Sequence, residues 1–341
     1  MRRIFILIAV GALLGAVALL IAWQQFYGNA VVRDEVIYLS SSDLEGDEYE
    51  QTIERTVLQN IKHRAAFNFY AERLNLPARI RSGRYELREG MSVVGLVRML
   101  KLGIQSPVEV TFNNVRLAEN LAGRIAQQIE ADSVALLNVL HSNELAKGLG
   151  LKSSAELVSL FIPNTYEIWW NITPEELIKR MKRESDIFWS GARDERRKEL
   201  KLSRVEVITL ASIVHEECST ADELQRVAGV YVNRLQRGMK LQADPTVKFA
   251  VGDFSLKRIL NKHLAYDSPY NTYIYKGLPP SPIAIPSIAA VDAVLNYERH
   301  NYIYFCAREQ LDGRHNFTSS YSQHLRNAQR YSEALNKLRI R

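Results

Sequence analysis

Residues 203–217 read Ser203-Arg204-Val205-Glu206-Val207-Ile208-Thr209-Leu210-Ala211-Ser212-Ile213-Val214-His215-Glu216-Glu217, and this stretch decides how the second half of the chain folds. Ser203 with Glu206 three positions on has the spacing of a capping box. Val207, Leu210, Ile213 and Val214 then fall on one helical stripe. Glu217 extends that stripe, whereas Glu216 lies over Ser212 and Thr209. The pattern predicts an amphipathic helix that turns one carboxyl toward apolar surroundings. Desolvation there disfavours the charged form and raises the pKa, which is what a general acid needs.

On the C-terminal side, Thr220-Ala221-Asp222-Glu223 repeats the capping-box spacing. It predicts a second helix through Leu224, Val227, Ala228, Tyr231 and Leu235, stopped by Gly238. Glu217 then sits at the joint between two helices, from which a side chain can reach a cleft. On the N-terminal side, Thr173 to Leu200 reads as one highly charged helix with a solvated face. Phe161-Ile162-Pro163-Asn164-Thr165-Tyr166 reads as a turn leading to Trp169-Trp170. Adjacent tryptophans fit either a sugar-stacking platform or a core residue beside a half-exposed one. Further upstream, Val108 to Phe112 alternates as a strand does, and Leu117 to Ile129 has helical spacing. Strand-like pieces (Val36 to Leu39, Gly83 to Leu87) bracket helical ones (Glu50 to Lys62, Ala66 to Leu74). Ser92 opens a further amphipathic stretch through Val93, Leu96, Val97 and Leu100, ended by Gly103. This region reads as a small α+β module.

Residues 4–23 are apolar or Gly throughout, and as a helix they would span about 30 Å, the thickness of a bilayer core. Arg2 and Arg3 precede them, and Trp23, Phe26 and Tyr27 stand where an interfacial belt would be, so the amino end is expected in the cytoplasm. A cleaved signal peptide is the competitor, but its apolar region is usually about 7–15 residues. Either way, Gly28 onward is expected to work outside the cytoplasm.

The 341 residues carry 44 Lys and Arg against 38 Asp and Glu, with 47% hydrophobic residues and two cysteines. That composition excludes collagenous, disulfide-scaffold and wholly disordered chains. The mild positive charge is dispersed, which gives little support for nucleic acid. Cys218 and Cys306 can be paired or free. No CxxC or HExxH run occurs, and the seven histidines are scattered, so neither a metal nor another cofactor is expected.

Several runs carry a family resemblance. They are Leu210 to Glu217; Val232-Asn233-Arg234-Leu235; Gly238 to Val247; Tyr270-Asn271-Thr272-Tyr273; Gly277 to Ile283; Tyr302 to Phe305; and His315-Asn316-Phe317 with His324. In this order they resemble the MltG (YceG-like) endolytic murein transglycosylases. Gly83-Arg84-Tyr85 and Gly90-Met91-Ser92 resemble the family's LysM-like subdomain. The resemblance implies that Glu217, which closes an ASIVxxE run, is the catalytic acid. It also implies that Glu223, Asn233, Gln242, Asp244, Tyr270, Asn271 and Thr272 line a glycan cleft. For each of these taken alone, a folding role is the alternative. One departure stands out: Pro163-Asn164-Thr165-Tyr166 replaces the usual Pro-Asp-Thr-Tyr, and Asn cannot serve as a base.

The expected fold is therefore α+β. It comprises an anchor over 1–27, a LysM-like module over 28–105, a mixed connecting region over 106–200 and a catalytic region over 201–341. The resemblance implies cleavage within peptidoglycan glycan strands that leaves 1,6-anhydro ends, with the membrane and peptidoglycan synthases as neighbours. A lytic transglycosylase can work with one carboxyl, because an internal hydroxyl replaces water. Two competing readings are a two-carboxylate hydrolase using Asp244 or Glu223 as second acid, and a noncatalytic wall-binding scaffold.

Overall fold

The structure is a computed structural model and describes residues 2–44, 48–113, 115–218, 220–256 and 258–337. It divides into two compact units. The first comprises residues 1–110, 128–131 and 166–172, and the second residues 111–127, 132–165 and 173–341.

The first unit begins with helix α1 (Arg2–Tyr27), in which no residue is buried and whose apolar window has a mean hydropathy of 3.0. It is long and apolar enough to cross a membrane. There follow strand β1 (Glu35–Leu39), helices α2 (Glu48–Thr56) and α3 (Arg64–Arg73), strand β2 (Gly83–Leu87) and helix α4 (Val93–Leu102). The strands pair antiparallel, Glu35 opposite Leu87 and Leu39 opposite Gly83. Alternation turns Ile37, Leu39, Tyr85 and Leu87 inward, onto Phe67, Leu76, Val97 and Leu100. Ser92 caps α4 by accepting from the Gly95 amide at 3.1 Å, and Gly103, with φ of 65°, ends it. The expected helix over Glu50 to Lys62 stops at Thr56, and a short 3-10 turn at Leu58–Asn60 takes its place.

Strand β3 (Val108–Phe112) pairs with strand β4 (Asn164–Ile168) in a two-stranded sheet. The run expected to be a turn at Phe161 to Tyr166 thus enters a strand. Asn164 stands exposed at its start, with Oδ1 bound to the next backbone amide. In the first unit, Trp170 packs edge-on against Tyr38 at 5.1 Å, while Trp169 is 52% exposed. That is the half-core, half-surface arrangement rather than two parallel faces.

The second unit is mostly helical. Helices α5 (Ala118–Ala126), α6 (Ser133–Leu140) and α7 (Asn143–Gly148) precede α8 (Pro174–Phe188) and α9 (Ala192–Leu200). The last two replace the single helix expected over Thr173 to Leu200. Trp189 is buried between them, and Gly191, at φ of 69°, turns the chain there.

Helix α10 (Arg204–Glu217) starts on the expected capping box, with both reciprocal bonds made. It differs in one respect: every residue from Val207 to Val214 is buried, so α10 is the axis of the core rather than a half-exposed helix. Helices α11 (Leu224–Gln236), α12 (Asp244–Val251), α13 (Asn261–Leu264) and α14 (Ile288–Leu295) follow, and α10, α11 and α14 supply most of the core. Ser212 tolerates burial because its hydroxyl donates to the Thr209 carbonyl and accepts from the Ile283 amide. The chain closes with the antiparallel pair β5 (Tyr304–Ala307) and β6 (His315–Thr318), then α15 (Tyr321–Lys337).

Candidate active site

Glu216 and Glu217 end α10 side by side but face different surroundings. Glu216 accepts a two-pronged ion pair from Arg116, with the shortest contact at 2.8 Å. Among the described residues, Glu217 makes no ion pair. Its Oε1 accepts from the Tyr231 hydroxyl at 2.9 Å, and the side chain lies on the wall of a cleft of about 480 Å³. Burial, reinforced by the Asp244 carboxylate, pushes its pKa up to about 8, against the hydrogen bond from Tyr231 and the charge of Lys248. At neutral pH, Glu217 therefore carries its proton. The Tyr231 hydroxyl, buried beside it, is held well above the ordinary phenol range and stays a donor.

The cleft joins parts of α10, α11 and α12, the segment between α11 and α12, and the β5–β6 pair with α15. Arg234, 7% exposed, ties these parts together. It donates to the carbonyls of Ile303 (2.7 Å), Leu241 (2.7 Å) and Lys240 (3.2 Å) and to Gln242 Oε1 (3.2 Å), and its guanidinium lies over the Tyr304 ring. Gln242 has a left-handed backbone, φ 50°, stabilised by its amide bond to the Thr272 carbonyl. Asp244 opens α12 and accepts from the Tyr273 hydroxyl at 2.7 Å. Opposite in sequence, Tyr304 and His324 stack at 5.1 Å, and both line the cleft. The His324 Nδ1 is buried without a partner among the described residues, and burial, helped by Arg234, lowers its pKa and so favours the neutral ring.

Of the eight residues singled out in the sequence, Glu217, Gln242 and Asp244 line this cleft. The other five stand behind it. Asn233 donates to the carbonyls of His300 (2.8 Å) and Tyr302 (2.9 Å), pinning the chain that enters β5. Asn271, with no exposed surface, holds the carbonyls of Leu264 and Tyr266. The Thr272 hydroxyl binds the Ala243 amide and Thr246. Tyr270 reaches Ser281 at 2.6 Å and packs on Phe249. Glu223 was expected to close a capping box with Thr220, but that box does not form. Its carboxylate instead takes the amide of His315 (3.2 Å) and meets the His315 Nδ1 (2.8 Å). These polar side chains fix backbone, and in this structure none of them faces the cleft.

Sequence reasoning passes over Tyr231, Arg234 and His315 as site residues, while the Tyr273 ring, which it pairs with Tyr270 as suited to a sugar chain, does line the cleft. Tyr231 reads as core from its stripe, and its hydroxyl partner is 14 residues away in sequence. Arg234 stands in the Val232 to Leu235 run, where the sequence gives it no role of its own. An Arg at a position with buried neighbours is the one signal that could have been followed. Cys218 and Cys306 are both free. Burial and the neighbouring Glu217 push the Cys218 thiol up to about 12, which leaves it unreactive. Among the described residues no cluster of His, Cys, Asp and Glu could hold a metal ion.

A mixed α+β unit with one sheltered, protonated carboxyl in a groove of neutral polar and aromatic groups has the layout of an acid–base enzyme. The chain belongs to the YceG-like family, whose model matches residues 45–330. It is 28% identical over 292 residues to the endolytic murein transglycosylase of Bacillus subtilis (strain 168), covering 81% of this chain and 80% of that one. The same identity over 309 residues relates it to the endolytic murein transglycosylase of Streptococcus pneumoniae (strain R6), of which it covers 54%. A crystal structure of a YceG-like protein from Listeria monocytogenes superposes with a TM-score of 0.57 at 24% identity, over 86% of this chain and 99% of that one.

Proposed function

We propose that this protein is a membrane-anchored endolytic lytic transglycosylase that cuts the bond between N-acetylmuramic acid and N-acetylglucosamine within peptidoglycan strands. The observation that carries the reading is the state of Glu217: partly buried, facing a groove, and protonated at neutral pH. The names of the curated relatives supply the substrate class. Glu217 donates its proton to the departing glycosidic oxygen. The C6 hydroxyl of the muramic acid residue then attacks C1 and closes the 1,6-anhydro ring as its proton passes to the ionised Glu217, so no water is consumed. The Tyr231 hydroxyl steadies the intervening carboxylate. Gln242, Asp244 and Tyr273 offer hydrogen bonds to an uncharged sugar chain, and Tyr304 with His324 offers a flat face. Glu223, Asn233, Tyr270, Asn271 and Thr272 act by holding the walls.

Within this reading, α1 is a single-pass anchor in the cytoplasmic membrane, and the first unit, whose strand–helix–helix–strand order fits a LysM-like module, works outside it. Anchored there, the enzyme cuts nascent strands close to the synthases and ends their growth. The domain division at 1–27, 28–105, 106–200 and 201–341 belongs to this proposal. A second reading has one observation in its favour: Asp244 shares the cleft with Glu217, as the second carboxylate of a hydrolase would. Glu223 does not fit that role, since His315 engages both of its oxygens.

The test is Glu217→Gln in the full chain, assayed on purified sacculi. Cleavage should fall by at least about 10²-fold with glycan binding kept, and Glu216→Gln should change turnover far less. Comparable turnover by Glu217→Gln would overturn the assignment.

A further inference from the structure

Glu223 and His315 form a pair that the one-carboxyl scheme leaves unused. Glu223 is 3% and His315 8% exposed, and His315 is among the residues lining the cleft that holds Glu217. The carboxylate grips both the backbone amide and the Nδ1 of His315, at 3.2 and 2.8 Å. A carboxylate at Nδ1 places the ring proton there, so Nε2 keeps its lone pair and becomes the acceptor. With Nδ1 turned to Glu223, Nε2 is the ring nitrogen that has no hydrogen-bond partner among the described residues, and the residue itself lines the cleft. The ring cannot swing away, because Phe305 meets it edge-on at 5.1 Å and Phe317 at 6.2 Å. Glu217, for its part, has one oxygen occupied by Tyr231, so a single free oxygen would otherwise have to serve the departing oxygen and the incoming hydroxyl in turn.

Building on the transglycosylase reading, we propose that His315 is the base of this cleft, aligned by Glu223 as its positioning residue, and takes the C6 hydroxyl proton while Glu217 protonates the departing oxygen. The step balances. The O6–H bond breaks toward Nε2, O6 bonds to C1, the C1–O4 bond breaks, and O4 receives the Glu217 proton. Imidazolium and carboxylate remain, and one proton passing between them through solvent resets the site. The titratable and charged groups about His315 are Glu223 and, on its carbonyl, Arg308, with Glu217, Asp244, Arg234, His324, Cys306, Tyr273, Tyr304, Tyr321 and Tyr331 lining the same cleft.

The test measures kcat and KM of the full chain against pH on sacculi, for the wild type, His315→Gln and Glu223→Gln, with thermal melting as a check on folding. Wild-type kcat/KM should fall on the acid side. His315→Gln should lose roughly 10²–10⁴-fold in kcat with KM changed only a few-fold, and that acid limb should vanish. Glu223→Gln should retain part of the activity and move the limb. A wild type that makes anhydro ends but has no acid limb would overturn the proposal, whatever the variants do. So would His315→Gln with kcat within about threefold of wild type, or with kcat lowered and the limb unmoved, as a purely structural role would give. New reducing ends in the wild-type product would instead sink the transglycosylase reading itself.

Discussion

At the scale of single residues, two neighbouring glutamates differ because one is ion-paired with Arg116 and the other, among the described residues, has no ion pair and feels Lys248 only at a distance. Spacing along α10 singles out the carboxyl that lines the cleft, but it predicts an amphipathic helix. The whole of Val207 to Val214 is buried instead, and Glu216, over Ser212 and Thr209, is neutralised by an Arg one hundred residues upstream, which no local pattern reveals. The sign of the Glu217 shift has two consequences. Its pKa of about 8 lies above the ordinary carboxylate value near 4.5, so between those values the folded chain holds a proton the unfolded chain has lost. Stability therefore declines as pH rises through that window. Glu217→Gln should raise stability by ~1–3 kcal/mol at pH 8 and leave it unchanged at pH 4, as urea unfolding at the two pH values would show. Equal effects at both would contradict the raised pKa. In activity, the basic limb of the pH profile should lie near pH 8. Asp244→Asn, which removes a neighbouring negative charge, should move that limb to lower pH even if turnover also falls.

At the scale of elements, the helices with clean caps were legible: Ser92, Ser203, Gly103 and Gly238 stand where their spacing placed them. What could not be read was where polar side chains reach. Asn233 and Asn271 look like ligand groups in sequence, but Asn233 satisfies a carbonyl 67 residues away and Asn271 satisfies those of Leu264 and Tyr266 in the segment just before it. Thr220 and Glu223 look like a cap, but a partner 92 residues away takes the carboxylate. Such long-range bonds carry no periodic signal. Nor does the close crossing at Gly229, where a Cβ would collide with the Glu298 carbonyl and the His300 ring. Gly229→Ala should lower stability by ~2 kcal/mol or more, since backbone would have to move. Asn233→Ala should cost ~1–3 kcal/mol by leaving two carbonyls unpaired. Chemical denaturation would check both, and unchanged midpoints would remove the loop-pinning role assigned here.

At the scale of the whole molecule, the membrane-length helix was visible as composition, and the two-unit division was visible only in outline. Residues 128–131 and 166–172 join the first unit although the chain around them belongs to the second, an exchange that sequence order conceals. If α1 anchors the protein, alkaline extraction should leave the full chain in the membrane pellet, and a chain starting at Gly28 should be released; recovery of the full chain in the supernatant would contradict the anchor. The central chemistry has a more direct readout. Sacculi digested with the wild-type chain in water enriched in heavy oxygen should give muropeptides ending in 1,6-anhydro muramic acid with no label at the new terminus, as mass spectrometry would record. Labelled reducing ends in their place would mean that water, not the sugar's own hydroxyl, had attacked.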